Sequence, residues 1–565
     1  MTQPPRIAAE DYLEALAANG IEHLFVNPGT DFAPIVEAFS RAARTNRPVP
    51  RPMVIPHEST AVGMAHGYTM VTGKPQAVML HTNVGLANGI NMLINASRER
   101  IPMLLTSGRT PFTQQGAEGS RNAHIHWAQE MFDQAGMLRE MVKWDYEMKR
   151  GDQAASAVDR AMELSTTSPQ GPVYLSLPRE VLGEVLTASA ESNHDHRAIP
   201  RAPEPRPGDI EILADWIAGA KRPLIVTGML GKDPRDSVAL ARLAERYALP
   251  VIPYQTRYFA LSSDHPMFQG SLPGPLLGDA DLVIVFDTDV PWLPSKEAPP
   301  SDARIVQIGE DPLHRRLPMR AFPSDLTITA TCLSVLEALQ VALASRATPH
   351  VESRDAWLRD RSRGLHETCR AEAERAGLAE RITLPWLNHC LREIVDADTK
   401  VINEYSFQQQ HCPLHTPGSL FAVSSAGGLG WGFPASLGVK LASPGSLVVS
   451  LLGDGAYMFA NPTACHYTAQ VRKLPVLTII YNNALYGAVR RATLDMYGHG
   501  AAAETDGRLL AELPGPAFEK IVAAHDGHGE RVDKPADLPA ALQRAAAAVR
   551  AGQQALVNVI CQSTQ

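Results

Sequence analysis

The stretch "LLGDGAYMFANPTACHYTAQVRKLPVLTIIYNN", residues 451–483, brackets an apolar unit between two polar ends. One end is an aspartate clasped by two glycines, and the other, about thirty residues on, is a pair of asparagines. The run "SLVVSLL" and the run "VLTIIY" read as buried parallel strands, and "ACHYTAQVRK" between them fits a helix. Gly453-Asp454-Gly455 and Asn482-Asn483 therefore fall at the carboxyl ends of two strands of one βαβ unit, the edge where open α/β sheets place their ligands. An Asp carboxylate, an Asn side-chain oxygen and a free backbone carbonyl are hard oxygen donors of the kind that hold Mg²⁺ when diphosphate oxygens complete the octahedron. The flanking glycines let the backbone approach a bulky anion. A GDG alone is more often a tight turn, but the two ends together at this spacing favour a site for Mg²⁺-diphosphate. Neither G-x-x-x-x-G-K-[ST] nor G-x-G-x-x-G after a strand occurs, which argues against the common nucleotide cradles.

The same alternation of short β-branched runs with helical segments extends along most of the 565 residues. It predicts an α/β protein of three domains, each a mostly parallel sheet flanked by helices. "HLFVNPG", "QAVMLHT", "IPMLLTSG" and "PVYLSLP" supply strands of the first domain. "RPLIVTGM", "DLVIVFDT" and "ARIVQIG" supply the second, and "SLVVSLLGDG", "PVLTIIYNN" and "ALVNVICQ" the third. Two interruptions set the boundaries. "ESNHDHRAIPRAPEPRPGD" (191–209) has the Pro-rich, charged composition of a linker. Around 346–380 a charged helical stretch precedes the resumption of the pattern at "ITLPWLNHCLREIV". The expected domains are residues 1–190, 205–345 and 375–565, with a similar rhythm in the two outer ones.

Composition excludes several classes. A net charge of −8 without a long basic run offers no phosphate track for nucleic acid. No apolar run approaches a membrane span, and the N-terminus lacks a basic-then-apolar signal layout, so a cytoplasmic location is expected. Cys332, Cys369, Cys390, Cys412, Cys465 and Cys561 are scattered without C-x-x-C spacing and read as reduced, buried thiols.

The GDG-to-NN unit resembles the thiamine diphosphate fingerprint of the 2-oxo acid decarboxylase and acetolactate synthase superfamily, and the likeness runs along the whole chain. It implies the thiamine diphosphate-binding fold, with an aminopyrimidine-binding domain, a middle domain and a diphosphate-binding domain, in that order. It implies Mg²⁺ held by the side chains of Asp454 and Asn483 and by the carbonyl of Leu485, with Gly453, Gly455 and Ala456 against the cofactor. "PMVIPHESTAVGMAHGYTMVTG" (52–73) resembles the family's catalytic-glutamate segment, a strand ending at Pro56 followed by Glu58 and a helix of small residues. The resemblance makes Glu58 the carboxyl group that hydrogen-bonds the aminopyrimidine, a task suited to an apolar pocket, where desolvation favours the protonated acid. An acidic residue stabilising a helix N-terminus is the plainer alternative. "SSAGGLGWGFPASLG" (424–438) is similar to the GGLG segment of benzoylformate decarboxylases, which implies that Gly427 accepts from the 4′-amino group and that Leu429 wedges between the cofactor rings. "NEYSF" (403–407) resembles a diphosphate-contacting segment, making Ser406 a hydroxyl donor, with Phe407 where a second hydroxyl is usual.

"VNPGTD", "MLHTNVGLANGI", "VKWDYE" and "GPVYLSLP" also resemble the benzoylformate decarboxylase branch. Thr30 then stands at the position of a substrate-contacting Ser, and His81 at that of an active-site His able to relay protons. The branch's second histidine should fall near Trp292 or Leu293, where there is none. Decarboxylation of a small 2-oxo acid and joining of the resulting carbanion to a second carbonyl thus remain open, with acetolactate synthase-like transfer or 2-hydroxyacyl-CoA cleavage as alternatives and a catalytically silent cofactor-binding regulator as a different class. His124 and His126 have the spacing of a strand metal pair without an evident third ligand; channel-lining and surface or packing roles are the other readings. His57 is expected to be structural or at the pocket wall. The resemblance further implies a homodimer or homotetramer in which Glu58 of one subunit faces Asp454 of the partner subunit.

Overall fold

The structure, a computed structural model, describes residues 5–187 and 199–561. Residues 191–198 of the expected linker lie outside the described residues. Among the described residues seventeen strands form three sheets, and every strand pair in them is parallel. The first sheet contains β1 (His23–Asn27), β2 (Arg51–Val54), β3 (Gln76–Leu80), β4 (Met103–Arg109), β5 (Asp145–Glu147) and β6 (Pro172–Pro178), in the order 2-1-3-4-6-5. The second contains β7 (Pro223–Thr227), β8 (Val251–Pro253), β9 (Leu282–Phe286), β10 (Arg304–Gly309) and β11 (Leu326–Thr329), in the order 11-10-9-7-8. The third contains β12 (Lys400–Glu404), β13 (Leu420–Ala422), β14 (Val448–Gly453), β15 (Leu477–Asn482), β16 (His528–Val532) and β17 (Ala555–Ile560), in the order 13-12-14-15-17-16. Counted from its own first strand, the third sheet repeats the order of the first.

Burial explains the run-type strands. All residues of β3, β6, β7, β9 and β15 are buried, as parallel strands covered on both faces must be. Helices Ala8–Ala18 and Ala154–Thr166 close one face of the first sheet through Tyr12, Leu16, Val158 and Met162. Helices Leu384–Leu391 and Leu538–Arg550 do the same for the third through Leu387, Leu391, Leu542 and Ala546. The charged stretch at 346–380 is a 27-residue helix, Val351–Gly377. It is anchored to the middle domain by Arg354, whose guanidinium donates to the carbonyls of Ala248, Ala220 and Tyr247, each at 2.7 Å.

By contacts the chain divides into two compact units. One is Met1–Arg201 with Ser424–Gly445 and Ala456–Pro475; the other is Ala202–Val423 with Ser446–Gly455 and Val476–Gln565. The three sheets do not map one to one on these units, because the helices Gly432–Ala442 and Pro462–Arg472 belong to the first. Glycine makes this possible: a Cβ on Gly67 would stand 2.1 Å from the carbonyl oxygen of Ala435, and one on Gly438 would stand 2.0 Å from that of Met64. The helix Glu58–Thr72 thereby lies backbone to backbone on Gly432–Ala442.

Candidate active site

In the first unit the carboxyl edge of the first sheet gathers proton-handling groups. Glu58 opens the helix Glu58–Thr72 four residues beyond the end of β2, which is at Val54 rather than at Pro56. His57 is the N-cap, its Nδ1 accepting from the Ser59 amide, so the residue beside Glu58 is structural, as expected. Glu58 is only 9 % exposed, and its Oε2 accepts from Asn88 Nδ2 at 3.1 Å. Gly85 packs against the same carboxyl.

His81 follows β3, at the N-cap of the helix Thr82–Arg98. Its Nδ1 lies 2.5 Å from Asp31 Oδ1, and Gln129 Nε2 lies 3.3 Å from its Nε2. With Nδ1–H donating to Asp31 and Nε2 accepting from Gln129, Nε2 is the basic nitrogen. The hydrogen bond that His81 donates to Asp31 outweighs burial and raises the His81 pKa, with Asp31 and Glu58 adding Coulombic attraction. Two glycines make room for this pair: a Cβ on Gly29 would meet the His81 ring, and one on Gly108 would meet the Asp31 carboxylate. Asp31 Oδ2 is buried without a hydrogen-bond partner. Thr30, exposed, lines the same small pocket with His126 and Arg179.

Of the roles left open for His124 and His126, the structure disfavours the strand metal pair. His126 belongs to the short helix Ile125–Ala128 and His124 precedes it, so one ring is exposed while the other is buried. No group of three His, Cys, Asp or Glu suited to a metal occurs among the described residues. His126 accepts from the Asn122 amide, and burial, with Arg179 and Arg121 adding, lowers its pKa. Its ring lines the pocket.

The GGLG segment also lies in this unit. Gly427 and Gly430 have φ of 65° and 86°, a region that side-chain-bearing residues rarely adopt. The loop is held by asparagines: Asn95 exchanges two hydrogen bonds with the backbone of Gly428 (2.7 and 3.1 Å), and Asn91 donates to the carbonyl of Leu429 (3.0 Å). Asn88, Asn91 and Asn95 stand three and four apart on one helix, hence on one face. That face contacts both Glu58 and the GGLG loop. Sequence reasoning missed these three, together with Asp31 and Gln129; the asparagine spacing was the available signal.

In the second unit the third sheet presents the other half of the predicted set. β14 and β15 are neighbours with Gly453 opposite Tyr481, so Asp454 and Asn483 follow adjacent strand ends, as the βαβ reading requires. Asp454 is 3 % exposed. Its Oδ1 accepts from the Gly455 amide at 2.8 Å, while Oδ2 is buried without a partner. Burial raises its pKa, against the opposing pull of the Gly455, Ala484 and Leu485 amides. Asn483 Oδ1 accepts from the Leu485 amide (3.1 Å), and the Leu485 carbonyl accepts from Gly487 (2.9 Å), so these two oxygens line a closed turn. That turn is pinned by Tyr486 and Leu513, whose amides bond Ala511 and Ala484. Asn482 is structural, donating to Asn558 and accepting from Ala484. A Cβ on Gly455 would press on the Tyr486 ring, whereas one on Gly453 would meet open space. Ala456, next in the chain, is buried. Ser406, after β12, has a buried Oγ without a partner, and Phe407 packs into the core of the third sheet. Trp292, near the position where a second histidine was looked for, is a core residue of the middle domain, set edge-on to Phe322.

Two sheets thus share one strand order, one edged by a buried glutamate and a His–Asp pair and the other by a buried aspartate with one unpartnered oxygen. The models for the thiamine pyrophosphate enzyme N-terminal binding, central and C-terminal binding domains match residues 7–137, 210–339 and 404–559, and the chain belongs to this enzyme family. It is 28 % identical to benzoylformate decarboxylase of Pseudomonas aeruginosa, over 84 % of this chain and 86 % of that protein. It is 26 % identical to an acetolactate synthase large subunit of Mycobacterium tuberculosis, over 89 % and 87 %. The solved 4-hydroxybenzoylformate decarboxylase of Rhodococcus jostii, described as thiamine diphosphate-dependent, shares the fold with a TM-score of 0.78 at 22 % identity, covering 99 % of this chain and 100 % of that one.

Proposed function

We propose that the chain decarboxylates a small 2-oxo acid with thiamine diphosphate and Mg²⁺, delivering the resulting carbanion to a proton or to a second carbonyl carbon. The observation that carries this reading is the buried Asp454 carboxylate with a free Oδ2 at the end of β14, which a divalent cation would compensate. Asn483 and the Leu485 carbonyl are the further metal ligands in this proposal, at the cost of opening the turn they now close. Ser406 Oγ would donate to the diphosphate, and Gly453, Gly455 and Ala456 would border it. When bound, thiamine diphosphate supplies the carbanion that adds to the oxo carbon and accepts the electrons released as CO₂ leaves.

The chain's own residues would do the rest. Glu58, buried and oriented by Asn88, holds the proton at the aminopyrimidine. Gly427 offers its carbonyl to the amino group and Leu429 shapes the bend, on a loop that Asn91 and Asn95 keep in place. His81, tuned by Asp31, moves a proton at Nε2, and Thr30 contacts the substrate. The absence of a second histidine at Trp292 supports transfer to a carbonyl as a second outcome, so acetolactate synthase-like and 2-hydroxyacyl-CoA lyase activities stay as alternatives. A silent regulator is disfavoured by the buried, oriented Glu58. The test is CO₂ release and product mass from aliphatic, aromatic and CoA-linked substrates, with and without the cofactor; no turnover with any of them would leave the regulator.

The reading includes a cytoplasmic homodimer or homotetramer, domain limits at 1–190, 205–345 and 375–565, and Glu58 facing Asp454 of the partner subunit. Mixing Glu58→Gln with Asp454→Ala chains tests that last point: shared sites regain activity in the mixed oligomer, whereas sites built from one chain stay dead.

A further inference from the structure

The carboxyl edges of the outer sheets absorb the predicted site, but the amino edge of the middle sheet carries a cavity of about 530 Å³ with no part in it. Lys221 and Arg222 immediately precede β7, Pro250 immediately precedes β8, and Asp279 stands just before β9; these are three adjacent strands of the sheet. The first turns of the helix Val351–Gly377 cover them with Arg354, Trp357 and Arg361.

The charges here are out of balance. Four cationic side chains line the cavity against one carboxylate, Asp279. Asp281 accepts the backbone amides of Lys221 and Arg222 (2.7 and 3.0 Å), and neither side chain forms an ion pair among the described residues. Arg354 is buried and hydrogen-bonded only to carbonyls; burial lowers its pKa, and Asp281 opposes that through charge attraction without an ion pair. Arg361 Nε is buried with no hydrogen-bond partner. Beside these cations lie an indole, Trp357, 48 % exposed, and a wall of Pro223, Pro250, Pro275 and Leu276. Gathering four cations, two exposed and two wholly or partly buried, around one carboxylate is costly, and a bound anion offsets that cost; an exposed indole face favours a flat ring, and the volume falls within the range of small-ligand sites.

We propose that this amino-edge cavity binds a small phosphorylated molecule bearing a flat ring, of the nucleoside diphosphate class, with the phosphates on Lys221, Arg222 and Arg361 and the ring on Trp357. The site is separate from the cofactor edge and does not depend on the reaction assigned above.

Calorimetric titration of ADP into protein saturated with thiamine diphosphate and Mg²⁺ tests it, the saturation keeping ADP from the diphosphate site. One ADP per chain should bind, at least tenfold more weakly to Arg222→Ala and to Arg361→Ala. Trp357→Ala should weaken ADP tenfold and leave inorganic pyrophosphate unchanged. Arg222 and Trp357 are exposed, so these variants should keep the wild-type melting temperature. Absence of ADP binding, binding indifferent to both arginine substitutions, or a Trp357→Ala variant that changes oligomer size in sedimentation without changing ADP affinity would overturn the proposal.

Discussion

The first and third sheets are built on the same strand order and differ in the chemistry of their loops. After the first strand, one has Thr30 and Asp31 and the other Ser406; after the second, one has Glu58 and the other the Gly427–Gly430 loop; after the third, one has His81 and the other Asp454. The first sheet's edge is a proton-handling edge, where Glu58 is bonded to Asn88 and His81 to Asp31, though Asp31 Oδ2 has no partner. The third sheet's edge has no such histidine–carboxylate pair, and Asp454 Oδ2 and Ser406 Oγ are buried without partners. One topology therefore serves two tasks because the loops at strand ends can change without disturbing the buried runs that set the sheet.

This contrast can be broken at several points. Glu58→Gln should lower kcat by about 10²- to 10⁴-fold while cofactor affinity, followed by circular dichroism or fluorescence, stays near wild type; near-normal turnover would remove Glu58 from the proton-handling edge. Asp454→Ala should do the reverse, weakening Mg²⁺-dependent cofactor binding by about 10²-fold, and an unchanged affinity would count against the third sheet as the diphosphate edge. Gly67→Ala forces a Cβ onto the Ala435 carbonyl and should cost about 1–3 kcal/mol in chemical denaturation; full stability would show that the two helices do not need their close approach.

The smallest effect should come from Asp31→Asn. Asp31 raises the His81 pKa, so the variant should bring it back toward about 6.5 and move the corresponding limb of the pH–rate profile to lower pH. Because the folded-state value is raised, the stability that the pair contributes is full below the unfolded histidine's pKa and is lost as pH rises through the folded one. Asp31→Asn should therefore destabilise the protein at pH 5.5 more than at pH 8.5, and an equal loss at both would show that the pair is not charged in this way.

Much of this was legible in the chain. The alternation of β-branched runs and helices predicts three parallel sheets, and the GDG and NN ends fall on adjacent strands as expected, since both signals are local and burial on two faces leaves a continuous apolar run. What was not legible depended on what lies across space. The spacing of His124 and His126 left metal, channel and surface or packing roles open, and a short helix turns the two rings apart. Asp31 stood in view beside Thr30, yet nothing local marks it as the partner of a histidine fifty residues away.

The sequence by itself determined the fold class and which strand ends carry polar groups, because periodicity and turn chemistry act over a few residues, and its resemblance to a known family implied the cofactor. Only the tertiary structure decided that Asp31 tunes His81, that one asparagine-bearing helix face contacts both Glu58 and the GGLG loop, and that the middle sheet gathers unpaired cations at its amino edge. Those are contacts between distant segments, and their energies arise from burial and charge pairing that exist only once the chain has folded.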